Sequence, residues 1–417
     1  MSATWRSSWL PWLLIAFAPA FFGLLTWTNA NPVDQFGQVI RLFGLPLYLL
    51  ELGFMLVAVR AGWRPIEQVA SQSSVVRALL AATVAIAFAS AALAPNAVGS
   101  LVWTYLSLLQ LLFGFAAAWL TSRVPTPMRN RIWPAIAGGC LVYAGLAAAF
   151  ALSPHEPGFD WQYFGLAVAN VRQVGFYMVV GTLAAVGCAM DARSTKAIML
   201  TVAAVLMMTL SFWTGSRGAA IAAIAAIIAG CIAFPHLRSI RNTSIALVPI
   251  PAGALLSSPL PRPMVVFGVD RMISSLKAST PDAISGFRLR MWEEAWQAFL
   301  HRPWIGYGEA QFGIVAPQPQ AAYLHPHNII LQLLVQWGSI GAGFVAALAI
   351  IAGIRIRSAL RTHDGGVVPA FLVCVGLLVF SFYDGAMFHT YPVMMFAFAL
   401  AFLVASAPEA RVAGVHS

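Results

Sequence analysis

Apolar residues run along this chain in blocks of about twenty, separated by short polar connections that hold most of the charge. A helix that crosses a bilayer needs roughly 20 mostly apolar residues. Twelve segments meet or approach that length: 9–27, 39–59, 75–94, 99–121, 132–152, 164–189, 197–213, 218–235, 243–258, 329–354, 366–383 and 388–407. The first is read as a span rather than a removed signal peptide, because no small-residue cleavage site followed by a soluble domain accompanies it. One long departure separates the ninth and tenth segments. Across 259–327 the chain turns polar and rich in proline and tryptophan. Ser285 can cap a helix there over about 286–300, in which Phe287, Met291, Ala295, Trp296 and Phe299 recur at three- and four-residue spacing. Pro303 and Gly306 end it. An amphipathic helix carrying Trp292 and Trp296 suits the lipid headgroup region, where indole buries its ring and keeps its N–H wet. The pattern predicts an all-α polytopic membrane protein of about 12 transmembrane helices, a single transmembrane domain over 1–417 with one elaborated loop.

Composition sharpens this reading. Hydrophobic residues make up 60% of the 417 and charged ones 9%, against about 25% charged in a soluble domain. The net charge of +10 comes from cations scattered singly between apolar runs. That distribution directs membrane topology and offers no stripe for nucleic acid. Arg60 and Arg64, then Arg123, Arg129 and Arg131, then Arg193 and Lys196, then Arg238 and Arg241, then Arg355, Arg357 and Arg361 all fall in alternate connections, on the side of Arg6 and Arg411. By the positive-inside rule both termini are cytoplasmic and 259–327 is extracytoplasmic. Cys140, Cys188, Cys231 and Cys374 lie inside apolar runs without CxxC spacing, as small packing residues do.

Some polar residues need a reason to be where they are. Arg172, Arg217 and Arg288 all fall on the external side of this topology, as one anionic site requires. An arginine near mid-span costs at least about 2.5 kcal/mol, so it faces a cavity or a partner; snorkelling to headgroups is the alternative for Arg172 and Arg217. Gly215, Ser216 and Gly218 around Arg217 would let backbone approach a ligand at a helix N-terminus. His325 and His327 flank a proline just before the tenth span, and a neutral imidazole takes a proton from a hydroxyl near pH 7. A metal site completed by Glu309 or His389 is the rival explanation, although no DxD-type acidic cluster accompanies the histidines. Asp384 could orient a histidine or serve only as a helix end.

Arg288-Leu-Arg-Met-Trp292, Pro303-Trp-Ile-Gly306-Tyr-Gly308 and His327-Asn328-Ile-Ile-Leu331-Gln332 through Gly338 and Gly341 resemble the O-antigen ligase/polymerase superfamily, most closely its ligases. The sharpest likeness runs from Thr214 to Gly341. The resemblance implies a GT-C-type glycosyltransferase with a long helical periplasmic loop. It would move O-antigen polysaccharide from undecaprenyl diphosphate onto the outer-core sugar of lipid A-core at the periplasmic face of a Gram-negative inner membrane, inverting the anomeric centre without metal or other cofactor. By position, Arg217 and Arg288 match the family's diphosphate-holding arginines, His327 its histidine acting on the acceptor hydroxyl, and Arg172 a further arginine. Arg290, His325 and Asn328, within the same motifs, complete the expected substrate-binding set, and His325 could share the role of base. The partners implied are the lipid-linked donor, lipid A-core and membrane lipids. An O-antigen polymerase or an O-linked protein oligosaccharyltransferase is the near alternative. A secondary transporter fits the span count but not the absence of two related halves.

Overall fold

The computed structural model describes residues 9–27, 44–155, 157–161, 165–263, 267–276, 280, 285–286, 288–316, 324–362 and 364–408. Phe287, expected on the external helix, lies outside them. No strand occurs among the described residues. The principal helices are α1 (Leu10–Ala16), α2 (Ala18–Trp27), α3 (Leu45–Arg60), α4 (Ser74–Ala92), α5 (Ala97–Arg123), α6 (Ile132–Leu152), α7 (Val174–Asp191), α8 (Ser194–Trp213), α9 (Arg217–Ala233), α10 (Ile240–Leu247), α11 (Pro249–Ser257), α12 (Gly268–Leu276), α13 (Arg288–His301), α14 (Ile329–Ala359), α15 (Val367–Ser381) and α16 (Thr390–Ser406). Helix occupies part of each of the twelve apolar segments. Among the described residues six helices are long and apolar enough to cross a membrane, or seven if α1 and α2, bent by 61°, form one span. Helices α9, α15 and α16 are apolar but shorter.

Helix α7 is the hub. Its sequence carries no charge before Asp191, and nearly every side chain on it is buried, as expected of a helix apolar on all faces. Helices α6, α8, α9 and α15 pack around it. On the periphery α4 lies against α5 and α14, and residues such as Val75, Ile350 and Ile354 are exposed. Exposed apolar rows on such long helices are the surface that lipid covers.

The external segment is tied down through a break in α14. Gly338 adopts φ 62°, ψ −171° inside the helix, which frees two carbonyls. The amides of Tyr307 and Gly308 donate to Val335 and Gln336 carbonyls, 2.8 Å each, and the Ser339 amide donates to Pro303 at 2.7 Å. Thus the kink is hydrogen-bonded throughout, as buried backbone must be. A Cβ on Gly338 would lie 2.3 Å from the Trp304 carbonyl, and one on Gly306 2.6 Å from that of Gln336. The Pro-x-x-Gly-x-Gly motif and Gly338 are therefore two sides of one backbone contact. It sets α13 on α14, where Met291, Ala295 and Ala298 bury against Phe312 and Val335. Ser285 Oγ accepts from the Arg288 and Leu289 amides (3.1 and 3.3 Å) at the start of α13. Leu289, Trp296 and Leu300 stay exposed.

Candidate functional site

The amino ends of α7, α9, α13, α14 and α16 and the carboxyl end of α15 meet at one pole of the bundle. Arg217 opens α9 after a turn in which Thr214 Oγ1 donates to the Ser211 carbonyl at 2.9 Å. The small residues beside Arg217 serve packing. A Cβ on Gly218 would lie 2.2 Å from the Phe380 ring of α15, and Tyr383 Oη donates to the Gly218 carbonyl at 2.6 Å. The backbone approach expected for a ligand at Gly218 is taken by α15. Arg288 faces Arg217 across Gly286: a Cβ at Gly286 would lie 3.6 Å from Arg288 Nη1 and 3.8 Å from Arg217 Nη2.

One carboxylate joins this cationic corner to the histidines. Arg288 Nη2 donates to Asp384 Oδ2 at 3.1 Å, while Asp384 Oδ1 lies 3.9 Å from His327 Nε2. The burial of Asp384 opposes ionisation, but Arg288 foremost and then His327 hold its carboxyl below the usual range. The turn carrying Asp384 is held by Asn328, whose Nδ2 donates to the Phe382 carbonyl at 2.9 Å. Asn328 Oδ1 also caps α14, accepting from Ile330 and Leu331 amides at 3.0 and 3.1 Å. Its amide works within the protein.

Hydrogen bonding distinguishes the two histidines. His325 is 6% exposed, and its ring lies against Phe388, centroids 4.5 Å apart. A Cβ on Gly385 would come within 1.8 Å of His325 Cε1, so only glycine admits the ring. His325 Nδ1 accepts from the His327 amide at 3.3 Å, which uses its lone pair and puts the proton on Nε2 of the neutral ring. Burial, and then His327, His389 and Arg288, push its pKa well below the ordinary value of 6.5. His327 is the reverse. Its Nδ1 faces the His325 carbonyl at 3.3 Å; a carbonyl only accepts, so Nδ1 carries the proton. Nε2 is then the basic nitrogen, and it is the one beside Asp384. Burial lowers the pKa of His327, Asp384 raises it, and Arg288 and Arg172 lower it further. His327 holds φ 56°, a left-handed conformation that few non-glycine residues adopt and that costs on the order of 1 kcal/mol or more.

Further arginines lie in the same field. Arg172 sits on the 3₁₀ turn Val171–Gln173 before α7, and its charge reaches His327. Arg271 on α12 is depressed to about 10 by burial and then by Arg172, Arg217 and Arg288. Arg290 pairs with Glu294 one turn along α13 at 3.3 Å, its side chain about half exposed at 48%. Among the described residues no three His, Cys, Asp or Glu side chains group as metal ligands. Glu309, one acid considered with the histidines, is buried and accepts from Ser107 Oγ at 2.6 Å; burial pushes its carboxyl up to about 7. Arg288 at the carboxylate, with Arg217 beside it and further arginines in the same field, suits a multiply charged anion such as diphosphate.

Sequence reasoning left Asp384 undecided and passed over Arg271 and Gln173. Asp384 is the one acid between 365 and 408, a signal that an intramembrane or interfacial role was at stake. Arg271 had no such signal, since 259–327 holds several arginines.

The family model described as O-Antigen ligase matches residues 202–346. That segment supplies Arg217, Arg271, Arg288, His325 and His327, together with the kinked α14 that carries the external helix. Arg172, Asp384 and His389 come from outside it. No curated protein matches the chain. The site-bearing segment of this all-helical fold is thus similar to the O-antigen ligase family.

Proposed function

We propose that this protein is an O-antigen ligase, moving O-antigen polysaccharide from undecaprenyl diphosphate to lipid A-core at the periplasmic face of the inner membrane. The observation that carries the reading is the single carboxylate of Asp384 between Arg288 and the basic nitrogen of His327. Leaving-group cations and an acceptor base are thereby held together at one pole. With α1–α2 taken as one span, the short helices α3, α9, α15 and α16 and the broken pair α10–α11 are read as further crossings. They bring the total to the twelve of a GT-C-type enzyme with both termini cytoplasmic. The exposed Leu289, Trp296 and Leu300 of α13 suit contact with headgroups.

In the reaction the acceptor hydroxyl attacks the anomeric carbon from the face opposite the diphosphate. The glycosidic C–O bond breaks as the new one forms, and the electron pair leaves on the lipid diphosphate. Arg217 and Arg288 stabilise that growing charge, with Arg172 and Arg271 adding to the field. Nε2 of His327 takes the hydroxyl proton. The resulting imidazolium faces Asp384, which stabilises it, and the proton then passes to solvent. One displacement inverts the anomeric centre, and the arginines supply what a metal ion supplies elsewhere.

Elongation of another lipid-linked glycan by a polymerase would use the same donor chemistry. A deletion strain separates the two. Loss of a ligase leaves long lipid-linked polymer and bare lipid A-core; loss of a polymerase leaves cores bearing single repeats, and that result would overturn the reading. Unglycosylated pilin-type proteins would point instead to protein glycosylation.

A further inference from the structure

Gln173 and His389 are not needed for either chemical role above, yet they join the two halves of the site. The side chain of Gln173 is fully specified by its neighbours. Its Oε1 accepts from the Ala169 and Asn170 amides at 2.9 and 3.3 Å, closing a capping box in which Asn170 Oδ1 accepts from the Arg172 amide at 3.0 Å. With the oxygen committed, the remaining amide nitrogen is a donor, and it lies 3.1 Å from His389 Nε2. The imidazole must therefore accept through Nε2 and carry its proton on Nδ1.

His389 is the residue preceding α16. Its ring leans on Phe176 of α7, centroids 5.3 Å apart, and meets His325 edge-on at 5.6 Å. Asp384 lies within electrostatic reach of it. On the other side, α7 begins in close contact with the arginine turn of α9, since a Cβ on Gly175 would lie 2.3 Å from Ser216 Oγ. A side-chain hydrogen bond thus runs from the Arg172 turn to the turn of Asp384 and His389.

We propose that Gln173 and His389 are a positioning pair, whose hydrogen bond clamps the turn bearing Arg172 to the Asp384–His389 turn and holds the Arg172 guanidinium at the anion site. This rests on the reading of that site as a diphosphate site. Neither residue touches the reacting atoms. The pair acts through Arg172, on the binding of the donor.

The test is the affinity of purified protein for farnesyl diphosphate, a soluble polyprenyl diphosphate. His389→Phe keeps the ring and loses the acceptor; Gln173→Met keeps the chain and loses the amide. Each should weaken binding about tenfold, the size expected for one lost partner of a part-buried hydrogen bond. Their double variant should be no weaker than either alone. His389→Gln, which can present an acceptor near the same place, should recover most of the affinity. In an Arg172→Ala background His389→Phe should have no further effect. In transfer assays the loss should fall on the donor KM, with kcat changed less than about threefold. Full tenfold losses persisting without Arg172, or unaltered binding in His389→Phe and Gln173→Met, would overturn the pair. Arg217→Ala and Arg288→Ala serve as the reference. If both bind farnesyl diphosphate like wild type, the diphosphate reading fails and takes this inference with it. If both lose binding and the pair variants do not, the inference fails alone.

Discussion

Two arginine–aspartate pairs stand at opposite poles of the molecule, at the two ends of α14 and α15. Arg129 meets Asp364 with both side chains about nine-tenths buried. The Gly366 amide donates to the other carboxylate oxygen at 3.1 Å, and the guanidinium lies over the Phe402 ring at 5.3 Å. One cation meets one anion in a closed, packed setting. Arg288 meets Asp384 at twice that exposure, shares the carboxylate with His327, and lies beside Arg217, with Arg172 and Arg271 in the same field. The first pair is balanced and structural. The second gathers several guanidiniums around one shared carboxylate, a setting that suits a bound anion. Pairing alone does not mark a functional site; a carboxylate shared between a guanidinium and an imidazole does so better.

Substitutions at each pole should separate these roles. The largest effect belongs to His327→Ala, expected to cut turnover by roughly 10²–10⁴-fold, the usual worth of a general base, while farnesyl diphosphate still binds. At the opposite pole Asp364→Ala strands a buried guanidinium and should cost about 3–5 kcal/mol of stability. Thermal melting in detergent should show that loss, and the molecules that remain folded should transfer glycan normally. Arg288→Ala should slow transfer by about 10²–10³-fold and leave a signature in pH. Activity needs neutral His327, so it falls as pH drops through the pKa of that residue, which lies below 6.5. Arg288 depresses that pKa, so its removal should move the acidic limb of kcat/KM to higher pH. Asp384 raises it, so Asp384→Asn should move the limb to lower pH, with slower turnover. Equal shifts in one direction would break the assignment of His327. The smallest effect on transfer is expected of Arg290→Ala, whose half-exposed side chain is spent on Glu294 of its own helix; transfer within a few-fold of wild type would place Arg290 outside the anion site.

Much of the architecture was legible because lipid imposes a simple rule on sequence. Apolar length marks helices, and helix lies in each segment so marked. Breaks were harder. Segment 329–354 reads as one uninterrupted run, yet Gly338 interrupts its helix, because the Pro303–Gly308 backbone supplies the hydrogen bonds that make a kink tolerable. Segment 243–258 divides at Val248 before Pro249, where proline denies a backbone donor. At the site, Arg217, Arg288 and His327 stood out as polar residues in costly places. What joins them did not. Asp384 is 96 residues from Arg288 and His389 is 216 from Gln173, and no local spacing encodes either contact. Asn328 was singled out because it adjoins His327; that its side chain caps α14 and tethers the Phe382 turn was not legible there.

The central claim is that one pole holds both a diphosphate clamp and the base that activates the acceptor. Its most direct test is transfer by purified protein from undecaprenyl-diphosphate-linked glycan to lipid A-core, in the presence of EDTA. The account predicts glycan on lipid A-core in chelator, lost in both Arg288→Ala and His327→Ala. Product formed at the wild-type rate by those variants, or elongation of the lipid-linked glycan with lipid A-core left bare, would contradict it.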